Sequence, residues 1–241
     1  MQERGTALTN DRNTASAHAQ TARDIGIAIV TGRHPPGSIL PGEYDLAEQR
    51  GISRGVVREA LRMLSGKGLI VSKPKTGTRV CDRGRWNLLD PDVLAWMFEG
   101  EPPAGFVDNL FQLRMIVEPA AAELAAQLRT GEQLSQMGHA LEEMARHGLA
   151  SATGQAADQR FHHIILEATA NELLVSLAGS IGAAVRWTTM FKHRKSRQPR
   201  DSIPQHRQLF GAIAGGDAAG AREATVALLQ QAREDTQSSI G

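Results

Sequence analysis

Asp158 and His162 stand four residues apart in DQRFHHIILEA, a spacing that puts a carboxylate and an imidazole on one helix face. Such a pair suits either one divalent ion or a hydrogen-bonded couple inside a core. His206 lies one turn into a later helical pattern and offers a third donor from across a bundle. Imidazoles with a carboxylate match a borderline cation such as zinc, nickel or manganese. A second set of chemically capable residues comes earlier. Arg54, Arg58 and Arg62 recur every fourth residue beside an apolar stripe of Val57, Ala60, Leu61 and Leu64, behind Ser53 as a good helix N-cap. Helix N-terminal amides hold phosphate, and arginines reach guanine edges or phosphates.

The elements around that cationic helix follow from local signals. Residues 1–18 lack periodicity and read as a disordered arm. From Thr21 a short helix carries Ile25 and Ile29 and ends at Gly32. Residues 43–50 form the next helix, with Leu46 and Ala47 inward and Gly51 at the left-handed C′ position. After the arginine-bearing helix, LIVSKPKTGTRV reads as two strands about a Lys73–Gly77 turn. Helix, helix, turn, helix and basic hairpin is the order of a winged helix-turn-helix, whose second paired helix enters the major groove.

Charge supports two parts. Residues 1–85 hold 14 Lys/Arg against 8 Asp/Glu, while the whole chain of 241 residues has a net charge of +1, so the remainder is acidic. A basic first third suits a polyanion. One cysteine, Cys81, excludes an internal disulfide. No apolar leader and no stretch of about 18 apolar residues is present, so the expectation is a cytoplasmic protein with no membrane partner.

The run L-P-x-E-x-x-L-A, I-S-R-x-x-V-R-E-A-L-R-x-L, K-G-L-I and a G-T-R-V wing, over roughly residues 20–80, resembles the GntR family of bacterial transcription regulators. The resemblance implies DNA contacts by Ser53, Arg54, Gly55, Val57 and Arg58 of the recognition helix and by Thr76 and Gly77 of the wing. Gly42 departs from the family's usual Ser or Ala. Tyr44 occupies a position that often touches phosphate, which its hydroxyl can also do.

Residues 82–105 read as a linker and connecting helix. Its start is set by Asp90 and Pro91, and its anchors are Trp86, Leu88 and Leu89. From there to Arg233 only helical periodicity is found, predicting an all-α bundle of about six to seven helices over 106–235 and a tail over 236–241. Pro119 should kink the first of these helices. Residues 171–193 read as one helix, and Ser202 with Gln205 has the form of a capping box. The fold class is thus mainly α: a winged helix-turn-helix followed by a helical effector-binding bundle. The segments R-x-x-x-E-P-x-x-A-x-L-A-A from Arg114, D-x-x-F-H from Asp158 and H-x-x-L-F-x-A-I from His206 resemble the FCD domain of FadR-type GntR regulators. In that family the metal is held by Asp158, His162, His206 and one more histidine, whose position falls on Leu228. Leucine cannot ligate. Either three ligands are completed by water or effector, or the polar residues hold the effector without a metal.

RWNLLDPDVLAW at 85–96 resembles the linker of the galactonate-operon repressors in this family, which implies a sugar-acid effector such as a hexonate. The effector residues would be Arg114, Asp158, His162 and His206, with Arg186 and Trp187 as a second wall. His139, His147 and His193 read as solvent-facing, and residues 192–197 as a basic loop. The expected function is a homodimeric repressor on an inverted-repeat DNA operator, released when a sugar acid such as D-galactonate favours the DNA-incompetent arrangement. The alternatives are a regulator responding to another small carboxylic acid, and a metal-dependent enzyme fused to a DNA-binding module.

Overall fold

In the computed structural model, which describes residues 4–73, 76–195 and 200–239, the chain divides into two compact units, Met1–Gly100 and Glu101–Gly241. The first unit opens with helix α1 (Arg4–Val30). The expected disordered arm over residues 1–18 is therefore replaced by helix from Arg4. The buried anchor of Ala22, Ile25 and Ile29 starts the helix, and no proline interrupts its extension toward the N-terminus.

Helix α2 (Glu43–Arg50) ends at Gly51, whose φ of 63° is the left-handed conformation its sequence position calls for. Helix α3 (Arg54–Gly66) starts at Ser53, whose hydroxyl accepts from the Val56 amide. Its stripe of Val57, Ala60, Leu61 and Leu64 is buried against α1 and α2. Each large member contributes about 1.5–3 kcal/mol of apolar burial. Strands β1 (Ile70–Lys73) and β2 (Gly77–Val80) pair antiparallel, Ile70 opposite Val80 and Lys73 opposite Gly77. The segment before α2 lines the free edge of β2, the Leu40 amide donating to the Thr78 carbonyl at 2.8 Å and the Val80 amide to Ser38 at 2.9 Å. Of the expected turn, Pro74 and Lys75 lie outside the described residues.

The linker expected over residues 82–105 is mostly part of this unit. Trp86 is buried and its indole N–H donates to the Cys81 carbonyl at 2.9 Å, although Leu89 is exposed. Helix α4 (Pro91–Glu99), capped by Asp90, packs on α1 through Trp96, whose ring occupies the space where a Cβ on Gly26 would stand. Lys67, just past α3, donates to Asp90 and Asp92 at 2.8 Å and lies over the Trp96 ring. The apolar side of α4 and this ionic tie are why it folds back instead of remaining a connector.

The second unit is entirely helical among its described residues: α5 (Ala104–Leu128), α6 (Gly131–His147), α7 (Ala152–Glu167), α8 (Glu172–Ser176), α9 (Ala178–Lys195), α10 (Ile203–Gly215) and α11 (Ala218–Gln237). The helix expected over 171–193 divides near Leu177, whose amide bonds to Leu174, a tighter three-residue turn. Pro119 is buried inside α5, which continues through it. Small residues (Ala121, Ala122, Ala125 and Ala126 on α5, Ala221 and Ala224 on α11) let these two helices pack closely. The capping box belongs to Thr130 and Gln133 at the start of α6. Ser202 makes no side-chain cap, because its backbone is not extended and Asp201 accepts from the Ile203 amide instead.

Gly68 has a φ of 73°, and a Cβ there would stand 2.1 Å from the Arg85 carbonyl oxygen. Gly68→Ala should cost about 2–4 kcal/mol in denaturant unfolding, from a positive-φ penalty plus a backbone clash. Gly66→Ala, with open space around it, should be neutral or mildly stabilising.

Candidate functional site

The first candidate surface is the outer side of α2, α3 and the wing. Arg54, Gly55 and Arg58 are exposed at the start of α3, and Tyr44 is exposed in the first turn of α2. Ser53 is exposed while its hydroxyl oxygen caps α3, and Gly55 leaves the backbone bare one position into the helix. Arg58 is not free, since its guanidinium donates to Glu43 at 3.3 Å. That pair is solvent-exposed and worth at most about 1 kcal/mol, so it yields readily to a stronger anion. Thr76 and Gly77 are exposed beside the wing's turn. Val57 is a correction. It is 0% exposed in the core of the first unit, because the stripe that seats α3 includes it. Its role is to hold the helix, and the exposed positions beside it are Arg54, Gly55 and Arg58.

The second candidate lies inside the helical unit. Asp158 and His162 on α7 and His206 on α10 are all buried, and one ligand atom from each lies within 4.8 Å of the others. His206 Nε2 is 3.1 Å from Asp158 Oδ1, and His162 Nε2 is 3.7 Å from the same oxygen. Donors about 2.1 Å from a shared ion stand roughly 3.0–3.5 Å apart.

The partners behind these groups fix which nitrogen is free. His206 Nδ1 is 2.7 Å from the Ser202 carbonyl, which can only accept, so Nδ1 carries the proton. His162 Nδ1 is 3.1 Å from Glu118 Oε2 and donates likewise. Each imidazole then has Nε2 facing Asp158 Oδ1: protonated, it donates to that carboxylate, and with the proton lost it offers a lone pair to a cation held there. The Thr189 hydroxyl donates to the other Asp158 oxygen at 3.2 Å. A lone-pair cluster backed by hydrogen-bonded outer partners fits a cation. Phe161 meets both imidazoles edge-on, with ring centroids 5.9 and 5.5 Å away, and keeps that side dry.

Glu118, from α5, is the residue that sequence reasoning missed. It accepts from Arg114 Nε at 2.5 Å and Nη2 at 3.3 Å while taking the His162 proton donor. Burial pushes its carboxyl up, but the Arg114 charge and the His162 hydrogen bond outweigh this and hold it at about 2. Asp158 is also held at about 2, burial being overcome by His206, His162 and Arg114. Both carboxylates are therefore anionic at neutral pH and available as ligand or counter-charge. The signal for Glu118 was its place four residues after Arg114 in R-x-x-x-E-P.

Arg114 joins the site as expected, its Nη1 also donating to Thr188 at 3.3 Å. Arg186 and Trp187 do not. The face of α9 turned to the site carries Val185, Thr189 and Lys192, a helical repeat from which Arg186 and Trp187 are rotated by about one and two residue steps of 100°. Arg186 is exposed and lies over the Trp187 ring. Lys192 is buried in α9, not part of a solvated loop, and residues 196–199 of that expected loop lie outside the described residues. Leu228 does line the cavity and supplies no ligand. His139 and His147 are exposed as expected. His193 is half-buried, its Nε2 enclosed without a hydrogen-bond partner among the described residues. The cavity beside the three donors measures about 30 Å³, room for an ion with one or two waters.

Residues 17–80 match the family of bacterial regulatory proteins named gntR, and residues 109–231 match the FCD domain. The galactonate operon transcriptional repressor of Escherichia coli (strain K12) is 33% identical over 207 residues, covering 85% of this chain and 90% of its own length. LutR, an HTH-type transcriptional regulator of Bacillus subtilis (strain 168), is 30% identical over 206 residues, covering 83% and 92%. A solved structure of Lar, described as controlling the Listeria monocytogenes agr system, aligns with a TM-score of 0.63 at 20% identity. It covers 90% of this chain and 95% of that chain, a likeness of fold.

Glu118→Gln should leave Arg114 buried without its counter-charge and His162 without its fixed orientation. The expected outcome is a loss of about 3–5 kcal/mol in unfolding free energy. Zinc affinity by competition titration should fall about 10- to 100-fold.

Proposed function

The chain belongs to the GntR family of bacterial regulatory proteins, with an FCD domain as its second part, and from that premise we propose an operon repressor released by a sugar acid, D-galactonate or a related hexonate. It is a DNA-binding transcription regulator of the GntR/FCD type, and its relatives are regulators, not enzymes. That sets aside the reading of Asp158, His162 and His206 as a catalytic centre.

The observation that carries the effector reading is the convergence of Asp158, His162 and His206 on a cavity that also holds Arg114 and Lys192. A divalent ion held by these three donors would supply a Lewis-acidic anchor for an effector carboxylate. Arg114 and Glu118 orient His162, Ser202 orients His206, and Thr189 orients Asp158. The likeness to a galactonate operon repressor supports a hexonate over other small acids. Binding of an effector there would act on the helices that line the pocket, and preference for one of their arrangements would link the effector to operator affinity. The protein acts in the cytoplasm as a homodimer on an inverted repeat, with Tyr44, Ser53, Arg54, Gly55, Arg58, Thr76 and Gly77 on the DNA face. No described helix is long and apolar enough to cross a membrane.

Full-length protein loaded with zinc or nickel should melt several degrees higher with D-galactonate at about 100 times its Kd, equivalent to about 2.7 kcal/mol. The gain should vanish with chelator, and a melting temperature indifferent to every sugar acid would sink the effector assignment. Arg58→Ala should unfold within about 1 kcal/mol of wild type. It should nonetheless lose gel-shift binding to the inverted repeat that wild type selects from random DNA. Retained specific binding would remove Arg58 from the contact set.

A further inference from the structure

Beside Asp158, His162 and His206 lies one buried cation that bonds to none of them, Lys192. Lys192 is 5% exposed and lines the same cavity as Asp158, His162 and His206. It reaches that cavity because it continues the α9 face of Val185 and Thr189. Its ion pair is with Asp235 Oδ2 of α11 at 3.4 Å. The other oxygen of Asp235 already accepts from Arg200 Nε at 2.5 Å. A carboxylate committed to a guanidinium at short range is a loose partner for an ammonium. From α11 the lining adds Leu228, Gln231 and Ala232, of which Gln231 alone is polar, and its amide is already bonded to Gln205 and to the Asp201 carbonyl.

The buried charges can be matched one by one. Arg114 pairs with Glu118, and Lys192 and Arg200 share Asp235 with help from Glu234. A divalent ion held by Asp158 and two neutral imidazoles would leave one positive charge without a counter-charge. In a largely buried site a monoanion would offset that excess, whereas a neutral polyol would leave it standing and a dianion would overshoot it. Because Leu228 supplies no ligand, such an ion would also have room for two adjacent oxygens of one molecule.

We propose that Lys192 is the effector-recognising cation of this site: it exchanges Asp235 for an oxygen of a monoanionic 2-hydroxycarboxylate whose carboxylate and neighbouring hydroxyl fill the open side of the ion. This rests on the reading of the cavity as the effector site, and it narrows the effector class to 2-hydroxy monoacids. Lys192 acts as a specificity-determining residue, and Asp235 as the group it leaves.

The test is calorimetric titration of zinc-loaded full-length protein with D-galactonate, glycolate, galactarate and galactitol, alongside metal content by atomic spectrometry. Wild type should bind a monoacid and neither galactarate nor galactitol comparably. Lys192→Met should weaken that binding about 10- to 100-fold, the scale of one charged hydrogen bond, with zinc content unchanged. Lys192→Arg should recover part of the loss, and Asp235→Asn, which frees the ammonium, should bind at least as tightly as wild type. Wild-type affinity in folded Lys192→Met overturns the proposal. If Lys192→Met fails to fold, Asp235→Asn decides, and weakened binding there overturns it. Glycolate binding that depends on Lys192 while galactonate is ignored keeps the proposal and removes the hexonate. Binding of the diacid or polyol alone, or of nothing, removes both.

Discussion

Three acceptor atoms aimed at one point in a dry interior repel one another unless positive charge lies among them. Asp158 Oδ1 and the Nε2 atoms of His162 and His206 are in that relation, and the rest of the helical unit is arranged to maintain it. The proton positions that create it are set one layer out, by Glu118 on His162 and by the Ser202 carbonyl on His206. Arg114 is held to Glu118 so that neither charge is orphaned by burial. With both Nδ1 atoms committed to these backing groups, only the Nε2 atoms remain to take a proton or a cation beside Asp158.

Holding such a cluster takes rigid elements that approach closely. The alanine face of α5 against α11 and the Phe161 ring packed edge-on against both imidazoles supply this. Polar side chains on four helices (α5, α7, α9 and α10) meet at one place, so a shift of any helix changes several hydrogen bonds together. Coupling of that kind suits a regulatory site, where binding energy is needed to favour one arrangement over another. In the first unit the priority is different. The basic side chains stay outside, and the apolar stripe of α3 fixes the angle at which they are presented.

Much of this was legible in residue spacing. The i, i+4 pair of Asp158 and His162, the Ser53 cap and the left-handed Gly51 each follow from short-range geometry, and the structure contains all three. What sequence reasoning lost were matters of phase and long-range pairing. Arg186 and Trp187 look suited to a ligand wall, but the inward face of α9 passes through Val185, Thr189 and Lys192. Val57 reads equally well as contact or core, and only packing against α1 and α2 decides it. Lys192 looked solvated because its neighbours are basic, and its partner Asp235 lies 43 residues away. The arm over residues 1–18 and the linker over 82–105 were misread for different reasons: from Arg4 the arm continues a helix anchored further along, at Ala22, Ile25 and Ile29, and most of the linker is ordered by packing on α1 and by its tie to Lys67.

The burial of Asp158, His162 and His206 bears on rate as well as fit. A ligand that must displace packed side chains to reach its site associates below the rate of encounter, and the same barrier slows its departure. For a regulator with its effector at such a site, a brief pulse would pass largely unregistered, whereas a supply that outlasts the opening interval would leave the site filled after the free concentration had fallen. Burial of the polar cluster would then act as a temporal filter.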